Sequence, residues 1–484
     1  DPPRCYGERG GSQSPHSSAE AGNDRGAKGG RKVKCEKNIG GSNDPLPVVE
    51  TPRLPGSLRD RLSPESNAVW TDRMLEALAT GVRGGKWYSL MDKVWDSSHL
   101  TLGAWEVIRN EGAPGVDHRS CELLERELSA EVDLLQRQLR DGTYRPQPVK
   151  RVWIEKPGQT EKRPLGIPTV RDRVVQATIR MVIEPIFESE FVAHSYGFRP
   201  GRGALPALER VERLLKEGQT WIVDADIKGY FDNIPQDRLM VLIRQRITDG
   251  KLLALIEAFL QQGVMESGRG WQPTTKGTPQ GAVLSPLLAN LYLHPLDLLA
   301  QSRGWLMTRY ADDFIVQCQT REEAETALRT IREWMETAGL TLHPEKTRIV
   351  DATTRGGFDF LGWHFERGFK WPRDKSLRRL RDSIREETCR SNGTSMQFII
   401  ERLNRRLNGW YGYFRGGVEN VYQKQDSWIR GRLRHILRFR DKRQGLCRGG
   451  LDHQRYPNAF FEKHGLISLY ALARAERTSP AASG

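Results

Sequence analysis

The residue pattern predicts an α+β fold that ends in a helical, strongly basic region. Three observations carry this. Apolar residues recur at helical spacing over 121–140 and 321–338. Two short runs rich in β-branched and aromatic residues, Trp221–Asp226 and 314–318, read as strands. From residue 373 onward helical spacing continues, now interleaved with arginine.

Each element has a local reason. Leu123, Leu124, Leu128, Val132, Leu135 and Leu139 form one apolar stripe, which stops at the turn pair Asp141-Gly142. In 321–338, Leu328, Ile331, Trp334 and Met335 share a face. Thr320 and Glu323 have capping-box spacing, and Gly339 suits the residue after the helix. Ile399, Leu403 and Leu407 mark a helix in the last quarter. Trp428, Ile429, Leu433, Ile436 and Leu437 mark another, among Arg430, Arg432, Arg434, Arg438 and Arg440. Periodic structure begins near Thr71. Residues 1–60 are rich in Gly, Ser, Pro and Asn, and read as disordered because they bury too little to offset ordering entropy.

At 484 residues the chain has room for about three domains. Its longest apolar runs are too short to span a bilayer, which needs about 20 residues. Six scattered cysteines do not make a disulfide framework, so a reducing compartment such as the cytoplasm is expected. The net charge is +14. Residues 366–484 carry 26 Lys and Arg against 12 Asp and Glu, so the whole excess lies there. A localised basic block points to a polyanion, nucleic acid first. The plainer reading is a solvated helix face.

Three carboxylates carry chemistry. Asp226 closes an apolar strand and opens Asp226-Ile227-Lys228-Gly229-Tyr230-Phe231-Asp232. Further on, Tyr310-Ala311-Asp312-Asp313 runs directly into another apolar strand. A hairpin turn there brings Asp312 beside Asp226 if the strands are neighbours. Acids gathered between apolar segments need cations, and carboxylate oxygens suit hard divalent ones. Two such metals can activate a 3′ hydroxyl and stabilise leaving pyrophosphate.

Tyr310-Ala311-Asp312-Asp313 resembles the reverse-transcriptase signature, and the Asp226 segment resembles that family's first catalytic motif. Gly277-Thr278-Pro279-Gln280-Gly281-Ala282-Val283-Leu284-Ser285-Pro286-Leu287-Leu288-Ala289-Asn290 resembles its template and nucleotide contact motif. Arg163-Pro164-Leu165-Gly166-Ile167-Pro168 and Ser195-Tyr196-Gly197-Phe198-Arg199-Pro200-Gly201-Arg202 resemble finger motifs of one branch, the group II intron-encoded proteins. Asn110-Glu111-Gly112-Ala113-Pro114-Gly115-Val116-Asp117 is similar to that branch's N-terminal extension loop. Phe360-Leu361-Gly362-Trp363 and Leu407-Asn408-Gly409-Trp410-Tyr411-Gly412-Tyr413-Phe414 are similar to its last polymerase motif and its maturase region.

The resemblance implies a right hand: fingers, a palm with an antiparallel sheet and flanking helices, then a helical thumb. It implies RNA-directed DNA synthesis with two Mg²⁺ ions and dNTP substrates, and a maturase role on group II intron RNA in splicing and retrohoming. Partners are then that RNA, an RNA template with a DNA primer, and target DNA. The metal set is Asp226, Ile227 through its carbonyl, Asp312 and Asp313, with Asp313 the less direct ligand. Lys156, Arg163, Phe231 and Gln280 face the incoming nucleotide. Phe231 also reads as plain core, and Lys156 as a cation on the Lys156-Pro157-Gly158 turn. Arg430, Arg432, Arg434, Arg438 and Arg440 form the nucleic-acid face. With no Cys-x-x-Cys, the His-Asn-His endonuclease of many relatives is expected to be missing, as in the bacterial class C lineage. The expected divisions are 1–60, 61–145 (extension and start of fingers), 146–365 (fingers and palm), 366–445 (thumb) and 446–484 (a small DNA-binding tail).

Overall fold

The structure, a computed structural model, describes residues 58–155, 162–390, 392–442 and 450–478. Most of the expected disordered start, together with Lys156, lies outside these. Order begins earlier than the periodicity suggested. Helices Leu58–Arg61 and Pro64–Val69 precede Thr71, and buried Trp70 donates its indole N–H to the Val182 carbonyl at 3.1 Å. Helices this short leave no repeat to detect, but the Ser63 cap and the Trp70 anchor hold them.

The stripe at 121–140 forms two helices, Cys121–Arg126 and Leu128–Arg140. Glu127 leaves helical dihedrals at φ −106°, ψ 17°, and its carboxylate accepts from Arg119 at 2.6 Å. The apolar stripe runs on across the break because both halves feed one core. Helix Arg321–Thr337 carries the expected capping box from Thr320 and Glu323.

A four-stranded antiparallel sheet lies at the centre, in the order Leu306–Tyr310, Asp313–Cys318, Trp221–Asp226, Arg348–Asp351. Side chains alternate along its strands. Val223, Ala225, Phe314 and Val316 enter a large core with helices Val170–Glu188, Ser285–Ser302 and Arg321–Thr337. Ile222 and Ile315 point the other way, into a smaller core with helix Ala204–Lys216 and the Phe358–Phe360, Trp363–Glu366 and Phe369–Pro372 sheet. A second four-stranded sheet joins Lys162–Ile167, Val149–Glu155, Val264–Glu266 and Gly270–Gln272.

The last quarter has its own core. Helices Asp374–Glu387, Met396–Tyr413 and Glu419–Arg440 bury Leu380, Ile399, Leu403, Leu407, Ile429 and Leu433 together. The tail helices insert Phe461 and Leu469 into the same core. Among the described residues no helix is long and apolar enough to cross a membrane.

One buried ion pair underlies the central sheet. Arg309 and Asp297 have fully buried side chains, and Arg309 Nε donates to Asp297 Oδ1 at 2.8 Å. Buried His294 lies nearby on the Asp297 helix. Burial pushes its imidazole down to about 4, against the upward pull of the Asp297 carboxylate and with smaller help from the Arg309 charge. A folded value below the unfolded one means that unfolding takes up a proton between the two. Stability present above pH 6.5 is therefore lost as pH falls toward 4, at up to about 1.4 kcal/mol per pH unit. His294→Leu is expected to flatten the pH dependence of urea stability by up to that slope in that window.

Candidate active site

Strand register decides which acids meet. Asp226 lies directly opposite Asp313, and Ala225 opposite Phe314. Tyr310 and Asp313 close the hairpin, leaving Ala311 and Asp312 as its two-residue turn, with Ala311 at φ +59°. The expectation placed Asp312 beside Asp226. Instead the cross-strand partner is Asp313, and Asp312 stands at the turn itself. The two-residue period also puts Asp224 on the face of Asp226 and Asp313. No motif flagged Asp224, although its spacing from Asp226 is a readable signal.

These acids crowd one another. Burial raises the Asp313 carboxyl to about 7, reinforced by the charges of Asp224, Asp312 and Asp226. Burial also raises Asp224 to about 6, against the pull of Arg348, whose Nε lies 3.2 Å from Asp224 Oδ2. Lys346 Nζ sits 2.5 Å from Asp226 Oδ2. Lys346 is 120 residues along the chain and no local signal marks it. Its loop is delivered by backbone pairing: His343 N–H donates to the Asp226 carbonyl at 2.7 Å, and Ile227 bridges to Leu342. The Ile227 side chain is buried in the large core.

Among the described residues, no three His, Cys, Asp or Glu side chains already converge as a metal cage. The donor set still fits a divalent ion. It is oxygen throughout, burial together with the neighbouring acids raises Asp313, and one member already holds an ammonium.

Phe231 follows on the short helix Tyr230–Asn233 and is buried, with its ring centroid 6.2 Å from that of Phe198. The Gly277–Gly281 motif crosses it. Thr278 N–H donates to the Phe231 carbonyl at 2.8 Å. Gly277 has φ +79°, and a Cβ there would lie 2.5 Å from the same carbonyl. The Gln280 carbonyl accepts from Gly166 N–H at 2.7 Å, and a Cβ on Gly281 would lie 2.6 Å from the Gly166 oxygen. The motif is thus clamped between the sheet that contains Lys162–Ile167 and the Phe231 segment. Arg163 lies on that sheet, opposite Ile154.

The basic helix differs from expectation. Arg434 is buried, donating to the Tyr456 carbonyl at 2.9 Å and to Asn458 Oδ1 at 2.8 Å. Arg438 pairs with buried Asp452 at 2.7 Å. Arg432 donates to the Thr388 carbonyl at 2.7 Å, and Arg440 to the Asn392 carbonyl at 3.2 Å. Four of the five guanidiniums therefore join helices to one another. Among the described residues, half-exposed Arg430 makes no such tie. Arginine suits this work because its planar fork reaches backbone carbonyls from a helix surface. Exposed cations lie instead on the preceding helices, at Arg378, Arg379 and Arg405.

These features define a reverse transcriptase domain followed by a helical domain. A family model described as reverse transcriptase (RNA-dependent DNA polymerase) matches residues 154–365, and one for the group II intron maturase-specific domain matches 377–454. The chain is 32% identical to Protein YkfC of Escherichia coli (strain K12) over 351 residues, covering 64% of this chain and 90% of that one. It is 42% identical to the group II intron-encoded protein LtrA of Lactococcus lactis over 213 residues, or 44% of this chain. That match spans 32% of the relative's length. A solved partial Cas6-RT-Cas1–Cas2 complex is similar at 23% identity and a TM-score of 0.33, over 51% of this chain and 42% of that one. The chain belongs to the family of group II intron-encoded reverse transcriptases with a maturase domain.

The buried arginines have a measurable consequence. Arg434→Gln leaves the Tyr456 carbonyl and Asn458 without their donor, and is expected to cost about 1–3 kcal/mol. Urea unfolding measures this. Because Arg434 faces protein, the salt dependence of RNA binding should not change.

Proposed function

We propose that the chain is an RNA-directed DNA polymerase that uses Mg²⁺ and dNTPs, and that it also binds its parent group II intron RNA as a maturase in splicing and retrohoming. The observation that carries the reading is the register pairing of Asp226 with Asp313 beside the Asp312 turn. When bound, two divalent ions would activate the primer hydroxyl and stabilise the leaving pyrophosphate.

The chain's own residues do the rest. Asp226, Asp312 and Asp313, with the Ile227 carbonyl, supply the oxygen ligands. Lys346 neutralises Asp226, whose carboxylate would be a ligand when a divalent ion is bound. Lys156 and Arg163 meet the triphosphate. The Gly277–Gly281 backbone, held by close packing of Gly277 on the Phe231 carbonyl and of Gly281 on the Gly166 carbonyl, approaches the duplex, with Gln280 beside the nucleotide. The basic final quarter supplies phosphate affinity, which needs charge and not sequence. The lineage proposed is bacterial class C; the divisions expected from the sequence are kept, with the 446–484 tail packed on the core of the 366–445 division. A maturase with an unused polymerase site is the second reading. The intact acid set favours the first, since loss of an acid is the simplest mark of the second.

Asp312→Asn is expected to lower primer extension at least about a hundredfold while protein-assisted splicing of the intron RNA survives. Primer extension and splicing measured on one preparation test this. Full extension by the variant removes Asp312 from the reaction.

Phe231 is the proposed sugar filter. Its ring is apolar, so it offers a 2′ hydroxyl no partner and occupies its space. Phe231→Val should raise rNTP relative to dNTP incorporation by about tenfold, or about 1.4 kcal/mol. Single-nucleotide kinetics with both substrates would return an unchanged ratio if Phe231 serves only the core.

A further inference from the structure

Phe198 holds a conformation that its side chain resists. Its φ is +58°, in the left-handed region that bulky residues rarely enter. The residue is also 47% exposed, although its side chain is apolar. A loop relaxes such strain unless its surroundings over-determine it, and residues held this way cluster at functional sites.

Here the surroundings do over-determine it. On one side, Arg199 has a fully buried side chain. It pairs with Glu188 at 2.7 Å and donates to the carbonyls of Val192 at 2.6 Å and Ser195 at 2.7 Å. On the other side, Tyr196 N–H donates to the Arg309 carbonyl at 2.9 Å, and Asn290 Nδ2 donates to the Gly197 carbonyl at 2.7 Å. Gly197 packs so tightly on the acidic hairpin that a Cβ would lie 2.3 Å from Ala311 N. Phe198 is fixed between these anchors. Its ring meets Phe231 edge to face, at 74° and 6.2 Å between centroids.

We propose that Phe198 is a binding residue of the polymerase site, stacking on the templating nucleobase opposite the incoming nucleotide. This rests on the polymerase reading and deepens it. A rigid, half-exposed aromatic beside the acids presents an apolar face to any of the four bases, as a copying enzyme requires. Phe231 limits the sugar while Phe198 supports the base. The left-handed backbone is what aims the ring outward from a loop otherwise turned into protein.

The test uses the full chain and three forms: wild type, Phe198→Asn and Phe198→Tyr. Asn accepts a positive φ and removes the ring, whereas Tyr keeps the ring. A primer–template with 2-aminopurine as templating base reports stacking by fluorescence quenching, without chemistry. Phe198→Asn is expected to raise KM for dNTP about tenfold and to abolish the quench, with a melting temperature no lower than wild type. Phe198→Tyr should keep KM within about threefold and retain the quench. If KM and quench are unchanged in Phe198→Asn, or if Phe198→Tyr is as defective as Phe198→Asn, the proposal is overturned. A wild type that quenches but does not extend sinks the polymerase reading alone, since the quench still judges Phe198.

Discussion

A guanidinium sealed from water fixes the geometry of the acidic hairpin. Burying a charge is costly unless its partner and every donor are satisfied. Arg309 meets that demand with Asp297, with Asn290 Oδ1 at 2.9 Å and with the Ala311 carbonyl at 2.9 Å. Asp297 and Asn290 lie on helix Ser285–Ser302, whose start is the end of the Gly277–Asn290 motif. The same Asn290 holds Gly197. One desolvated pair thus ties together the turn, the motif helix and the strained Phe198 loop. Removing either charge strands the other in the core, a loss of about 3–5 kcal/mol in comparable buried pairs.

The acids themselves are a local conflict that the scaffold sustains. Sheet periodicity forces Asp224, Asp226 and Asp313 onto one face, and burial makes their mutual repulsion stronger. Arg348 and Lys346 offset part of it from a neighbouring strand and loop. Such conflict is what a bound divalent cation would relieve, because carboxylate oxygens suit it as ligands.

Charge by itself misleads about surfaces. The arginines between Arg430 and Arg440 have the spacing of a nucleic-acid face, but four of them donate to carbonyls or carboxylates of adjoining segments. Their positive charge still contributes to the field of the final quarter. Their donors, however, hold the tail helices and the 388–394 segment against helix Glu419–Arg440.

The sequence by itself determined the elements and the chemistry. The capping box of helix Arg321–Thr337 is local, so Thr320 and Glu323 announce it without any neighbour. The central strands were legible for the same reason, since β-branched runs bounded by acids are visible in a few residues. Tertiary structure alone decided pairing. Nothing near Asp312 says that its neighbour Asp313 takes the position opposite Asp226, because a one-residue shift of register exchanges the faces. Lys346 reaches Asp226 from 120 residues away through an isolated bridge, and Arg309 finds Asp297 across a chain reversal. Continuous leucine spacing likewise hid the break at Glu127, since both helices bury the same face. Short-range order is written in neighbouring residues; contacts that neutralise charge across the fold exist only once the backbone has brought distant residues together.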